Sequence, residues 1–237
     1  MEIIIVDNHS DDESIGMLRA RFRACPSVRI VESAANIGFG RGNAIGAAHA
    51  RGRYLLFINP DNTLPPDATE KMVQICEDDP SIGIVGPALV YPDGTVRPSA
   101  RKLPSIPDLF MKRMTRRTWL KQHARLIGKN GDAIRDVDWV VGACFLIPND
   151  LFRHLKGFDP RFFLFFEDTD ICRRCWQTGR RVVYAPGIRV ADRKQRLSDG
   201  GILSLFTKRT TRIHLLSALK YFWKWRRADL TKPPLPA

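Results

Sequence analysis

The sequence of 237 residues lacks the features that define several large protein classes. No stretch approaches the 18 or more uninterrupted apolar residues of a membrane-spanning helix, so we expect no such span. The N-terminus, MEIIIVDNHSDD, has no basic region ahead of its apolar residues, and we expect no signal peptide. The five cysteines are an odd number without framework spacing, which is typical of reduced thiols in a cytoplasmic protein.

The motifs of several nucleotide and metal sites are missing as well. Gly38, Gly40 and Gly42 do not have the GxGxxG spacing, and no GK[ST] follows them as in a P-loop. Because neither motif is present, we do not expect a nicotinamide-binding protein of the GxGxxG type or a P-loop ATPase. Cys172 and Cys175 have CxxC spacing, but no second pair or His pair stands at zinc-finger distance. Two buried thiols on one helix face is therefore the preferred interpretation, ahead of a metal or redox site.

Positive charge is present in excess, and it is concentrated in two segments. The formal net charge is +13; residues 97–135 carry 11 Lys or Arg against two Asp, and residues 189–237 carry 12 against three. We interpret 97–135 as a basic mobile loop with one short helix, within a domain that covers 1–200. Residues 201–237 form a basic amphipathic tail in this interpretation.

The partner of these basic segments is left open by their charge alone, because nucleic acid, an anionic membrane and plain solvent are all compatible with it. No zinc finger and no RNP-type strand is present, so we predict no nucleic-acid partner. The tail alternates Leu, Phe and Trp with Lys and Arg, which suits a helix at the lipid headgroup boundary. A helix docked on the core, with a basic outer face, is the other interpretation of the tail.

Strand and helix patterns alternate through residue 91, which predicts an α/β fold with a mostly parallel, doubly wound sheet and helices on both faces. The predicted strands are 2–6, 28–31, 54–58, 82–85, 88–91 and 182–184. The predicted helices are 14–22, 44–50, 66–76, 151–155 and 168–178.

Polar clusters follow the buried strands at the positions where open α/β sheets bind ligands. Asp7-Asn8 ends the first strand and Asn59-Pro60-Asp61 ends the third, and the carboxyl ends of parallel strands share one edge. Glu167-Asp168 is a third cluster, preceded by the aromatic run 162–166. These rings would exclude water and raise the basicity of a carboxylate, although core packing is the preferred interpretation for most of them. The glycine turn 38–42 allows backbone amides to approach a ligand closely.

Four segments, in this order, resemble the family 2 glycosyltransferases, particularly the rhamnosyltransferase-like members. The segments are IIIVDNHSDDES (3–14), NIGFGRGNAIG (36–46), YLLFINPDNTLPPDA (54–68) and the stretch 137–186 that contains FFEDTD. The resemblance implies a GT-A fold, a nucleotide-sugar donor and sugar transfer with inversion at the anomeric carbon.

The resemblance also implies roles for individual residues. Asp168 would be the base on the acceptor hydroxyl, with Glu167 beside it in the catalytic pair. Asp61 would hold Mg²⁺ or Mn²⁺ against the diphosphate, a role that suits hard oxygen ligands. The expected nucleotide-sugar contacts are Asp7, Asn8, Ser10, Asn36, Gly38, Asn43, Asn59 and Asp61.

Partners and location follow from the same resemblance. The donor would be a nucleoside-diphosphate sugar, with dTDP-rhamnose as a candidate, and the acceptor a glycan or a lipid-linked sugar. We expect a cytoplasmic protein in peripheral contact with the anionic inner face of the membrane. Family members begin with a strand and helix that precede the segment seen here, and Ala191 stands where they have a His. An inactive nucleotide-sugar or membrane-binding protein with a truncated GT-A fold is therefore the alternative.

Overall fold

The computed structural model describes residues 1–104, 131–193 and 209–227. The described residues form ten strands and six helices. The strands are β1 (Ile3–Asp7), β2 (Val28–Glu32), β3 (Tyr54–Ile58), β4 (Ile82–Val90), β5 (Val96–Arg97), β6 (Ala100–Arg101), β7 (Arg135–Asp136), β8 (Trp139–Val140), β9 (Cys144–Pro148) and β10 (Arg181–Ala191). The helices are α1 (Ser14–Phe22), α2 (Phe39–His49), α3 (Ala68–Asp78), α4 (Asn149–His154), α5 (Glu167–Gln177) and α6 (Arg209–Trp225).

The main sheet has six strands and is mixed, so the prediction of a mostly parallel sheet is wrong. Its strand order is β3-β9-β4-β10-β7, with β5 paired to the end of β4. Only β4 and β10 run parallel in it, because β9 lies between β3 and β4 and is antiparallel to both. Strand β9 follows the basic segment in sequence, so the regular alternation before residue 91 contains no sign of its insertion. Strands β1 and β2 form a separate parallel pair.

Several predicted boundaries change in the structure. The two strand candidates at 82–85 and 88–91 are one continuous strand, β4, and the last strand, β10, runs over 11 residues instead of three. The ends of the segment interpreted as a mobile loop are ordered into the short strands β5, β6 and β7. The rest of that prediction falls on 105–130, outside the described residues.

Helices cover both faces of the main sheet, as predicted. Successive side chains of a strand point to opposite faces. On β4, Ile84 packs in the core that contains α5, whereas Val85 packs with Met72 of α3. Strand β9 divides in the same way, with Phe145 on the α5 side and Leu146 on the α3 side. Burying each such side chain contributes about 1.5–3 kcal/mol, and this double-sided core is what fixes α5 against the sheet.

The C-terminal helix α6 docks on the core, which was one of the two interpretations of the basic tail. One side packs on the α5 region through a buried aromatic cluster, whose members are Phe162, Phe166, Ala218, Tyr221 and Trp225. The opposite side exposes large apolar groups, among them Leu216, Leu219 and Trp223. None of the helices in the described part of the chain combines the length and apolarity needed to cross a bilayer.

Four of the five thiols lie in the core, as the spacing of the cysteines suggested for Cys172 and Cys175. All five cysteines are unbridged, and only Cys25 is exposed. Burial raises the pKa of Cys76, Cys144 and Cys175 to about 12, so these thiols do not ionise at neutral pH. A thiol that stays protonated and buried is a poor nucleophile and a poor metal ligand.

We therefore predict that one thiol of the five reacts with a thiol-specific chromogenic reagent in the folded protein at pH 8, and that all five react in denaturant. Cys25→Ser, which removes the exposed thiol, is expected to abolish the fast reaction without changing the unfolding transition. Fast reaction of two or more thiols in the native protein would contradict this assignment.

Candidate functional site

Residues 39–42 of the predicted glycine turn are the first turn of α2, so the turn itself is confined to residues 36–38. Asn8 connects the end of β1 to this shorter glycine turn. Its side-chain oxygen accepts the backbone N–H of Ile37 at 3.1 Å, and its amide nitrogen donates to Asn36 Oδ1 at 3.2 Å and to the carbonyl of Gly38 at 3.3 Å. Gly42 lies against this amide, because a Cβ at residue 42 would sit 3.5 Å from Asn8 Cγ. The side chain of Asn8 thus holds the turn whose backbone was predicted to face a nucleotide.

Gly38 allows a close contact between this turn and the segment before α5. It has φ +88°, and a Cβ there would lie 2.1 Å from the carbonyl oxygen of Phe163. No side chain fits such a gap, and the left-handed conformation itself favours glycine. The N–H of the next residue, Phe39, donates to the same carbonyl at 2.8 Å. The glycine turn is therefore fixed directly to the aromatic run.

Asp168 lies in the first turn of α5, with both carboxylate oxygens engaged by backbone donors. Oδ2 accepts the N–H of Gly142 at 2.9 Å, and Oδ1 accepts the N–H of Thr169 at 2.7 Å. Gly142 also allows close packing here, since an added Cβ would lie 3.2 Å from Asp168 Cβ and 3.3 Å from the ring of Phe39. The helix N-terminus and the two N–H groups together favour a negative charge at this carboxylate.

Glu167 is the second acid of the pair and is placed very differently. It is 4% exposed, and its Oε2 atom has no hydrogen-bond partner in the part of the chain that the structure describes. Burial, reinforced by the negative charge of Asp168, raises the pKa of Glu167 well above its ordinary value. The side chain packs beside Gly40, where an added Cβ would lie 3.4 Å from Glu167 Cβ.

The surroundings of the two acids differ, and those of Asp168 favour the charged form more than those of Glu167 do. Burial raises the pKa of Asp168 too, but the N–H groups of Gly142 and Thr169 and the positive charge of Arg101 oppose that rise. Arg101 is itself held in place, with its guanidinium 5.0 Å from the centre of the Trp139 ring and its Nε donating to the carbonyl of Pro98 at 2.9 Å. The pKa of Glu167 is thus raised more strongly than that of Asp168, and two acids separated in this way are what a single general base requires.

The Asn59–Asp61 segment is anchored next to this pair. The N–H of Asn59 donates to the carbonyl of Ala143 at 2.8 Å, and Ala143 directly follows the glycine that holds Asp168. On the other side, Thr63 and Ala191 exchange two backbone hydrogen bonds of 2.9 and 3.0 Å. Asp61 is half-buried between these anchors.

Asn62 and Asp192 are the sequence neighbours of the antiparallel Thr63–Ala191 bridge, Asn62 before Thr63 and Asp192 after Ala191. Both polar atoms of the Asn62 side chain are buried without a partner among the described residues. Asp192 is 3% exposed and forms an ion pair with Arg97, whose Nη1 lies 2.7 Å from Asp192 Oδ2. Asp192, which directly follows Ala191, is therefore already paired with the positive charge of Arg97.

Three predicted site residues have side-chain hydrogen bonds that are only local. Asp7 accepts the N–H of Ser10 at 3.3 Å in a turn that leaves Ser10 exposed. The Asn43 amide donates to the carbonyl of Phe39, four residues earlier in α2, at 3.0 Å. These contacts shape the turn after β1 and the start of α2, and they do not connect the three residues to the acidic pair.

The structure adds residues that the sequence predictions missed. Gly142 and Arg101 act on Asp168, and the Phe163 carbonyl joins the glycine turn to the acidic pair. Gly142, two residues before β9, is the one sequence signal that could have indicated a close approach. The partner of that approach could not be read from the sequence, because it lies 26 residues away.

Two proteins that are similar in sequence to this chain are named rhamnosyltransferases. The chain is 28% identical over 210 residues to the N-acetylglucosaminyl-diphospho-decaprenol L-rhamnosyltransferase of Mycobacterium tuberculosis, covering 82% of this chain and 67% of the relative. It is 27% identical over 202 residues to the rhamnosyltransferase WbbL of Escherichia coli K12, covering 80% of this chain and 71% of that protein.

Solved structures of low sequence identity share the GT-A fold. GalNAc-T7, solved with UDP, GalNAc and Mn²⁺, superposes with a TM-score of 0.65 at 16% identity over 95% of this chain, which corresponds to 43% of GalNAc-T7. The mannosyltransferase PcManGT of Pyrobaculum calidifontis, solved with GDP-Man and Mn²⁺, gives a TM-score of 0.58 at 14% identity over 96% of this chain and 66% of its own. The chain thus spans about two thirds of the curated relatives and less than half of GalNAc-T7.

The predicted GT-A fold is confirmed by these superpositions, although its main sheet is mixed. The family follows from residues 1–173, which match the model of "Glycosyl transferase family 2" and make up most of the chain. This protein belongs to glycosyltransferase family 2.

Proposed function

We propose that this protein transfers a sugar, with inversion, from a nucleoside-diphosphate donor to a hydroxyl of a lipid-linked or glycan acceptor. The observation that carries the proposal is the close contact of Gly38 with the carbonyl of Phe163. This contact joins the glycine turn to the segment that leads into Asp168 and the acidic pair. Because two relatives are named rhamnosyltransferases, dTDP-rhamnose is the donor we propose. One of them is named for a diphospho-decaprenol-linked sugar, which supports a lipid-linked acceptor.

In the proposed reaction, Asp168 accepts the proton of the acceptor hydroxyl while its oxygen attacks the anomeric carbon. The new C–O bond forms as the bond from that carbon to the diphosphate oxygen breaks, and the nucleoside diphosphate leaves. A single displacement inverts the anomeric configuration. Neutral Glu167 lets Asp168 stay ionised, and Gly142 and Thr169 fix its carboxylate plane.

On the donor side, the residues after β1 and before α2 would bind the nucleotide. Asn8 and Asn36 use their side chains to hold the turn, so the backbone around Gly38 and the carboxylate of Asp7 are the groups we assign to the nucleoside. Ser10 and Asn43 would shape the same surface from either side. Asn59 would face the sugar diphosphate through the segment that is anchored beside Asp168.

The residues near the diphosphate position fit a divalent metal ion that the substrate helps to bind. No group of three or more His, Cys, Asp or Glu side chains able to hold a metal occurs among residues 1–104, 131–193 and 209–227. Asp61 offers one carboxylate, and the unpartnered Asn62 side chain lies beside it. Mg²⁺ and Mn²⁺ accept such partial protein ligation, with phosphate oxygens and water in the other positions. When bound, the ion would neutralise the negative charge of the departing diphosphate.

Membrane contact is the finer part of the proposal, and the outer side of α6 supports it. Leu215, Leu216, Leu219 and Trp223 are exposed there, and Trp223 is 67% exposed. They are flanked by five basic residues, Arg209, Arg212, Lys220, Arg226 and Arg227, and α6 contains no acidic residue. An exposed apolar stripe with basic edges matches an anionic bilayer surface, where acyl chains accept the stripe and headgroups the cations.

The catalytic assignment predicts that Asp168→Asn lowers kcat at least about 100-fold, because general-base catalysis contributes typically 10²–10⁴-fold. The rate of the wild-type protein should fall as the pH drops through a pKa above the ordinary aspartate value of 3.8, since protonated Asp168 cannot accept a proton. Release of nucleoside diphosphate, coupled to acceptor glycosylation, measures both effects.

Asp150→Asn is the matched control, because Asp150 is an exposed acid in the first turn of α4. It should leave the rate and its pH profile unchanged. Full activity of Asp168→Asn would remove Asp168 from the reaction. Donor binding without any turnover by the wild-type protein would instead favour the inactive binding protein.

The metal assignment predicts that Mn²⁺ tightens binding of the nucleoside diphosphate at least about tenfold over a chelator-treated sample, and that Asp61→Asn removes this gain. Titration calorimetry with and without Mn²⁺ provides the measurement. Asp67→Asn, at an exposed acid six residues along, serves as the control and should respond to Mn²⁺ as the wild type does. An equal response of Asp61→Asn and the wild type would show that the metal is held elsewhere.

The membrane assignment predicts binding to vesicles that contain anionic phospholipid and weaker binding to neutral vesicles. Leu219→Ser combined with Trp223→Ser should lower vesicle affinity at least about tenfold, because two apolar groups no longer enter the interface. Met17→Ser, at a side chain 69% exposed on α1, is the control. Equal sedimentation of the double variant and the control with anionic vesicles would exclude α6 as the contact.

A further inference from the structure

The turn that leads into α5 has an unfavourable backbone conformation. Phe165 and Phe166, the two residues before the acidic pair, have φ values of 69° and 71°. This left-handed region disfavours residues with a Cβ, and large side chains rarely adopt it twice in succession. Such strain persists only where surrounding contacts impose it.

The contacts on this turn come from α6. The Phe166 ring lies 5.2 Å from the Tyr221 ring and 5.4 Å from His214, and the Phe165 ring lies 4.9 Å from His214, measured between ring centroids. Tyr221 is fully buried. Aromatic pairs at these distances add stabilisation beyond the area they bury.

Helix α6 also holds the backbone of the aromatic run by hydrogen bonds. Ser217 Oγ donates to the carbonyl of Leu164 at 2.8 Å, and Lys220 Nζ donates to the carbonyl of Arg161 at 2.9 Å. Both carbonyls belong to the segment whose Phe163 carbonyl anchors the glycine turn. The strained turn is therefore held from α6 through side chains and through its backbone.

A buried charge cluster fixes the other side of the acidic pair to the same helix. Asp170, which is fully buried in the first turn of α5, accepts the indole N–H of Trp225 at 3.0 Å. Its carboxylate also lies 2.6 Å from Lys224 Nζ and 2.8 Å from Arg174 Nε. A buried carboxylate with three donors holds its element firmly, because losing any of them leaves charge unsatisfied.

We infer that α6 is part of the catalytic apparatus: Tyr221 and Trp225 are positioning residues that hold the strained Phe165–Phe166 turn and thereby aim Asp168 at the acceptor hydroxyl. The inference rests on the proposed function. Tyr221 contacts Phe166 and Trp225 donates to Asp170, and these are the two contacts through which they would act on Asp168. Donor binding depends on Asn8 and its neighbours and should be insensitive to them.

The test compares Tyr221→Ala with Tyr221→Phe. Loss of the ring should lower kcat at least about tenfold while the donor KM changes less than about twofold. Tyr221→Phe keeps the ring and removes only the hydroxyl that accepts a hydrogen bond from Arg173 at 3.2 Å, so its kcat should stay within about threefold of wild type. Equal loss in kcat and donor binding, or an unchanged kcat in Tyr221→Ala, would overturn the inference.

A second pair of variants separates the turn conformation from general loss of packing. In the Tyr221→Ala background, Phe166→Gly should restore part of the lost kcat, because glycine adopts φ near +70° without strain. Phe166→Ala removes the same ring but keeps the strain, so it should restore nothing. Equal behaviour of the two double variants would show that α6 merely covers the core.

Hydrogen exchange separates failure of this inference from failure of the proposed function. In Tyr221→Ala, amides of residues 165–170 should exchange faster than in wild type, whereas those of β4 should not. If wild-type protein transfers no sugar, this local change still supports the positioning role of α6 while the proposed activity fails. If wild type is active and exchange in 165–170 is unaltered, the positioning role is refuted alone.

Discussion

The site depends on one hydrogen bond, from the N–H of Phe39 to the carbonyl of Phe163 at 2.8 Å, and on the absence of a side chain at Gly38. Phe39 begins the helix that follows the glycine turn, and Phe163 lies in the run that leads to the acidic pair. A Cβ at residue 38 would occupy the position of that carbonyl, so the two halves of the site approach only because residue 38 is glycine. Every proposed role of Asp7, Asn8 and Asp168 in one reaction presupposes this contact.

Two adjacent carboxyl groups can be buried here because their surroundings favour a charge on one of them and not on the other. Two carboxylates at the start of one helix would repel if both were ionised, and burial makes each charge costly. Gly142 and Thr169 give backbone N–H groups to Asp168, whereas Oε2 of Glu167 receives no donor among the described residues. The environment therefore favours charge on Asp168 over charge on Glu167. On the proposed function, this asymmetry lets one member of the pair act as the base.

Local pattern was sufficient for part of this fold and insufficient for the rest. The run YLLFI predicted β3 at its observed bounds, since a short apolar stretch between turn residues has few other structures open to it. The antiparallel insertion of β9 left no trace in the alternation of elements, because strand pairing between distant segments is set by the whole core. For the site, Asp168 came from a family motif. Its donors Gly142 and Arg101, and the Trp225–Asp170 hydrogen bond across 55 residues, depend on tertiary contacts that no periodicity encodes.

Under the proposed function, the two sides of α6 have physically linked roles. Its inner side contacts the turn before Asp168, and its outer side presents Leu216, Leu219 and Trp223 between basic residues. This helix has 17 residues, and its inner side is packed against the protein. It therefore sets the distance between Asp168, the proposed base, and the surface that its outer side contacts. For a lipid-linked acceptor the hydroxyl is also held at a set height above the bilayer. One helix that contacts both the turn before Asp168 and the bilayer would place the base and the hydroxyl at matching heights without any motion of the sheet. This would reduce the orientational freedom that the reactants must lose before they react.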